Sequence, residues 1–174
     1  CKSFADEKDF WNPEYASQAY IIALGVNDIL GQKKPVGTVD DVDFNDWRNN
    51  KKNFAGYYAQ IIQRMKEIQP RAKFFLMTML RDGENDRNPQ GKQEHRKLLY
   101  GFSEKFDNTY VLDLLEYGPV YDDKFRDKFY MLGHLNPMGY VFTAKMVASY
   151  IDYIIRHNMR DFNEVGFIGT DLHG

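Results

Sequence analysis

One cysteine in 174 residues, Cys1, leaves no pair to oxidise and no cluster to grip zinc. An internal disulfide framework and a cysteine-rich metal site are both excluded. An excess of charge of one sign is also missing. The chain has 23 Lys and Arg against 25 Asp and Glu, a net charge of -2, with no block of like charges to suit a nucleic acid. We therefore expect no nucleic-acid partner. No apolar run approaches the roughly 18 residues that a bilayer span needs, so no membrane span is expected either. The chain opens on neither an initiator methionine nor a charged-then-apolar leader. We expect it to be part of a longer protein, and its beginning fixes no location.

What is present is the composition of an ordinary globular protein. Hydrophobic residues make up 43% and charged residues 28%, in a length suited to one domain, which we take as residues 1–174. Aromatics reach 16%, a surplus that we assign first to core packing and second to stacking on sugars.

Residues 1–18 are polar and aromatic, with Pro13 to break a helix, and read as a surface-hugging lead-in. AYIIAL, residues 19–24, is a short apolar run of the kind buried on both faces of a parallel sheet. It ends in Gly25, Asn27 and Asp28, which suit a tight turn. After a loop over 29–42, we expect a helix from about 43 to 69, with Phe54, Tyr57, Tyr58, Ile61, Ile62, Met65 and Ile68 on its apolar face. AKFFLMTML, residues 72–80, is the second strand, a polar loop spans 81–91, and a helix follows over 92–106. TYVLDLL, residues 109–115, is the third strand.

A long loop over 116–135 leads to His134, and Asn136-Pro137 opens the last helix, Asn136 as cap and Pro137 as first helical residue. Its stripe of Tyr140, Val141, Ala144, Val147, Ala148, Ile151, Ile154 and Ile155 is expected to lie on the sheet, and the helix to end near Asn158. The alternation predicts an α/β domain with a flavodoxin-like parallel sheet and helices on both faces, a three-layer arrangement. Sites in such folds lie beyond the C-terminal ends of the strands, where both Gly25-Val26-Asn27-Asp28 and His134 fall.

At these two stretches the chain resembles a family. GVND at a strand's end is similar to the Gly-x-Asn-Asp block of the SGNH (GDSL-type) ester hydrolases. GHLNPMGY, residues 133–140, resembles their last block, in which a catalytic histidine precedes the C-terminal helix. The resemblance runs from the family's third conserved block to its end. It implies a serine esterase acting on small acyl esters, with acetyl groups on carbohydrate as one candidate substrate, and no cofactor. Asn27 would donate its side-chain amide to an oxyanion, and Gly25 would permit the tight turn. Asp28 would brace the loop through side-chain to backbone hydrogen bonds. His134 would be the general base. The resemblance leaves room for a location outside the bacterial cytoplasm.

Two departures stand out. The family's Gly-Asp-Ser nucleophile block is absent, and Ser3, Ser17, Ser103 and Ser149 lack its strand-to-helix context. The glycine block that supplies a second oxyanion donor is missing too. A chain that begins here lacks the strand that would lie beside YIIAL, so we expect one or more N-terminal strands and the serine on another segment of the same protein. The second departure is Met131, which stands where the family usually has an Asp. Asp122, Asp123 or Asp127, or a backbone carbonyl, is left to orient the ring. His95, His157 and His173 read as surface residues without metal-ligand spacing. A non-catalytic, carbohydrate-binding relative is the alternative, and an unrelated flavodoxin-like domain a third reading, for which no Gly-rich phosphate loop is visible.

Overall fold

The computed structural model of the protein describes residues 1–162. Strands β1 (Ala19–Ile22), β2 (Lys73–Met77) and β3 (Thr109–Leu112) form one parallel sheet in the order β1-β2-β3. Tyr20 pairs with Phe74 and Ile22 with Leu76, and Phe75 pairs with Tyr110. This register sorts the side chains by face, because successive residues of a strand point to opposite sides. Phe74, Leu76 and Val111 enter a core with helices α2 (Phe54–Ile68) and α3 (Pro89–Lys105), the two crossovers between the strands. Phe75 and Leu112 face the other way, onto the far part of helix α6 (Pro137–His157) and Phe162. The architecture is therefore α/β, a three-stranded parallel sheet flanked by helices. No helix among the described residues is long and apolar enough to cross a membrane.

The lead-in contains a short helix, α1 (Lys2–Asp6), whose Ala5 is fully buried against α2, with Arg64 donating to the Ala5 carbonyl at 2.9 Å. Helix α2 starts later than its expected position near residue 43. The Asp43 carboxylate accepts from the backbone of Asn45 (2.9 Å) and Asp46 (3.2 Å), and Asp46 accepts from Arg48 N–H (3.0 Å). These short side chains offer the backbone an alternative to helical bonds. The helix begins only where Asn53 caps it by accepting from Gly56 N–H at 3.0 Å.

The expected third strand also stops early. Asp113 turns its chain end into a helical turn, α4 (Leu114–Tyr117), by accepting from Glu116 N–H. The long loop before His134 holds more structure than expected. It contains helix α5 (Asp123–Phe129) and a two-stranded hairpin, β4 (Tyr130–Met131) with β5 (His134–Leu135).

Burial corrects two further expectations. Ile22 is buried, but Ile21 is 53% exposed, so β1 is not covered on both faces among the described residues. In α6, which begins at the expected Asn136 cap and ends at His157, the stripe reaches the sheet only in its second half. Ile154 is buried, with Val147, Ile151 and Ile155 packed beside it, whereas Tyr140 and Val141 remain exposed.

Candidate functional site

The chain leaves β1 through Gly25, whose φ of +132° is open to glycine but strained for any side chain. Residues Val26–Gly31 then make one π-helical turn. Ile29 N–H donates to the Gly25 carbonyl at 2.7 Å and Gln32 N–H to the Asn27 carbonyl at 2.9 Å. Buried Ile29 pins the turn to the start of α3, where Asn88, the cap of that helix, also reaches the Ile29 carbonyl at 3.4 Å. Asn27 is left exposed, and its side-chain amide makes no hydrogen bond among the described residues. Asp28 is half-buried and accepts from the main-chain nitrogen of Cys1 at 2.9 Å, not from the N–H groups of its own turn as expected.

Behind the turn lies His95, which is fully buried and not at the surface as its polar neighbours suggest. Its ring meets Phe54 and Tyr58 edge-on, at centroid distances of 5.7 and 6.4 Å. Burial pulls its pKa down to about 4, with the Leu24 carbonyl acting in the opposite sense. His157, by contrast, is exposed at the end of α6, as expected. His173 lies outside the described residues.

His134 sits on a two-residue hairpin turn. Leu132 (φ +53°) and Gly133 (φ +81°) occupy its centre, and both positive values suit the turn that joins twisted antiparallel strands. The cross-strand partner of His134 is Met131. His134 is exposed, and its ring bonds to no carboxylate, serine or carbonyl among the described residues. Asp122 caps α5 instead, accepting from Phe125 N–H at 2.9 Å, and neither Asp123 nor Asp127 bonds to the ring. Ser103 is also engaged elsewhere, donating to the Tyr100 carbonyl at 2.8 Å.

The hairpin is fixed at the C-terminal end of the sheet through an ionic knot that motif reading missed. Beyond β2, Arg81 bridges to Val120, and Tyr121 N–H donates to the Arg81 carbonyl at 2.8 Å. Asp82 then takes Lys92 and Arg126 at 2.9 and 2.8 Å on its two oxygens, and Arg87 at 3.1 Å. Lys92 is fully buried and also pairs with Asp86 at 2.9 Å. Since Arg126 belongs to α5, the knot ties the helix before the hairpin to the loop after β2. Asn136 ties its other end, donating to the Lys128 carbonyl and accepting from Gly139 N–H. Asn27 and His134 thus lie toward the same end of the sheet.

An apolar trough of about 370 Å³ runs between β1 and α6, lined by Ile21, Ala23, Met77, Tyr140, Ala144 and Ile151 among others. Neither Asn27 nor His134 lines it. No group of three or more His, Cys, Asp or Glu among the described residues is arranged to hold a metal ion. No family model, curated protein or solved structure matches the chain.

Proposed function

We propose that this chain is part of an SGNH-type serine ester hydrolase that cleaves small acyl esters, carbohydrate acetyl esters among them. Its nucleophile lies on a segment of the same protein outside these residues. The observation that carries the reading is the Gly25–Asp28 turn. It holds an exposed side-chain amide, Asn27, without a hydrogen-bond partner, just beyond a parallel strand, at the sheet end that also holds His134. Two further features support it. No strand pairs with the outer edge of β1 among the described residues, and both flanks of that edge are apolar. One more strand and a helix would fit there, as a segment carrying the serine would supply.

In this reading His134 takes the serine proton as the hydroxyl oxygen attacks the ester carbonyl. Negative charge then gathers on the carbonyl oxygen, where the Asn27 amide donates to it. A preorganised donor of this kind is worth roughly 10²–10³ in kcat. The imidazolium returns its proton to the departing alcohol, and water repeats the sequence on the acyl-enzyme. With Met131 opposite the ring and no carboxylate on it among the described residues, a serine–histidine dyad fits better than a triad. The same absence of an acid favours the second reading, a non-catalytic carbohydrate-binding relative.

Hydrolysis of an aryl acetate by the full-length protein separates the two. The enzyme reading expects turnover that a serine-directed phosphonate blocks. His134→Ala should abolish it and Asn27→Ala should cut kcat by roughly 10²–10³. Asp122→Asn, Asp123→Asn and Asp127→Asn should each stay near the parental rate. Residues 1–174 alone should be inactive. Parental kcat in His134→Ala removes the base and leaves the binding module.

A further inference from the structure

A buried imidazole with idle nitrogens is an unusual thing to keep in a core, since an apolar side chain fills the same space without the desolvation cost. His95 is such a group. Neither Nδ1 nor Nε2 has a partner with full hydrogen-bond geometry, although the Leu24 carbonyl lies near enough to favour a proton on the ring. The ring is presented to the turn with Nε2 leading. A Cβ placed on Gly25 would lie 3.2 Å from Nε2 and 3.4 Å from Cε1. Its neighbour Tyr58 is aimed the same way, with its hydroxyl donating to the Ile22 carbonyl at 3.3 Å. Two polar groups of the core are therefore directed at the backbone of Ile22 and Leu24, at and just beyond the end of β1 and ahead of Asn27.

We infer that His95 is a positioning residue for the Asn27 turn. Its Nε2–H is directed at the Leu24–Gly25 backbone and holds the conformation from which Asn27 projects. The inference rests on the reading of Asn27 as oxyanion donor. The ring is held neutral by its burial, which disfavours the cation. The aromatic cage of Phe54 and Tyr58 keeps the ring edge-on, and Gly25 lacks the Cβ that would push it away. Asn88, the cap of α3 about two turns before His95, fixes the far end of the same segment through the Ile29 carbonyl. Helix α3 would thus set both ends of the turn.

The first test needs no catalysis. Side-chain 15N NMR of the parental protein should show His95 as a single neutral Nε2–H tautomer, slow to exchange with solvent. An Nδ1–H tautomer, or a ring in fast exchange, overturns the inference. The second compares His95→Phe, which keeps the packing but not the donor, with His95→Gln, which restores a donor. In the full-length protein, Phe should lower kcat roughly 10- to 100-fold through misplacement of Asn27, with KM little changed, and Gln should recover most of the loss. Parental kcat in the Phe variant overturns the assignment. If the protein shows no esterase activity, the proposed function fails on its own. Amide exchange then still decides the positioning role. Phe should speed exchange at Ile29, whose N–H is bonded to the Gly25 carbonyl, and leave the β2 amides unchanged. Equal rates at Ile29 count against it.

Discussion

Asp82 and His95 are both buried titratable side chains, and they answer burial in opposite ways. Burial by itself pushes the Asp82 carboxyl up. The hydrogen bonds from Lys92 and Arg87 outweigh it and hold the group below its ordinary value of 3.8. His95 has no such partner, and burial takes its pKa from 6.5 down to about 4. Both folded-state values are depressed, so both contributions are complete at high pH and fade on acidification, but in different windows. Between pH 6.5 and about 4 the unfolded chain protonates His95 while the folded protein does not. Below about pH 3.8 the loss comes from Asp82, with Asp41 and Asp43 also held down by their hydrogen bonds.

Urea midpoints measured from pH 8 to pH 2 should therefore fall in two limbs. His95→Gln should flatten the upper limb, and Asp82→Asn should make the lower one shallower. A parental midpoint that is level between pH 6.5 and 4 would sink the His95 assignment. The two residues also differ in how legible they were. Between Glu94 and Arg96, His95 reads as surface. Yet Leu98, Leu99 and Phe102 follow at i+3, i+4 and i+7, so His95 heads the apolar stripe of α3. Spacing held the signal that local polarity hid.

Among the elements, α6 shows what its start is for. Asn136 joins the hairpin to the helix from both sides, and Gly139 packs so tightly that an added Cβ would run into the Phe129 carbonyl at the end of α5. Asn136→Ala should cost about 1 kcal/mol as the loss of a cap, and more for the lost bond to Lys128. Gly139→Ala should cost more still, because backbone and not a flexible tip stands in the way. Chemical denaturation of the two variants checks the order; a neutral Gly139→Ala contradicts the close junction.

The Asn-Pro start of this helix was readable because cap and first-turn proline act locally. The late start of α2 was readable as well, in the Asp43, Asp46 and Asn53 that compete for the backbone, but an apolar period extended too far obscured it. The hairpin that carries His134 was harder. Its strands have two residues each, too few for alternation to show.

For the whole molecule, the outer edge of β1 dominates. An unpaired strand edge flanked by apolar side chains is a template for pairing with another chain. A protein comprising residues 1–174 alone should associate as its concentration rises and should bind a dye that reports exposed apolar surface. Ile21→Lys, which puts a charge in the trough, should weaken both, with sedimentation velocity as the measurement. A monomer at every concentration would show that the edge is not sticky. The parallel sheet and its flanking helices followed from the alternation of apolar runs, which is a property of each segment. How much of β1 lies open did not, because cover is supplied by other segments and leaves no trace in the strand's own residues.

The two faces of the sheet also differ in when the chain can complete them. The core under α2 and α3 draws on residues from Ala5 to Val111, whereas the opposite cluster joins Phe75 and Leu112 to Ile154 and Phe162. During synthesis the first face has all its parts once β3 has left the ribosome, while the second must wait for α6. His134 is then still unmade or inside the exit tunnel. A nascent chain halted soon after α4 clears the tunnel should already protect the α2–α3 side from proteolysis, with Phe75 still exposed. The turn that holds Asn27 is in place early, and the hairpin that carries His134 is made last.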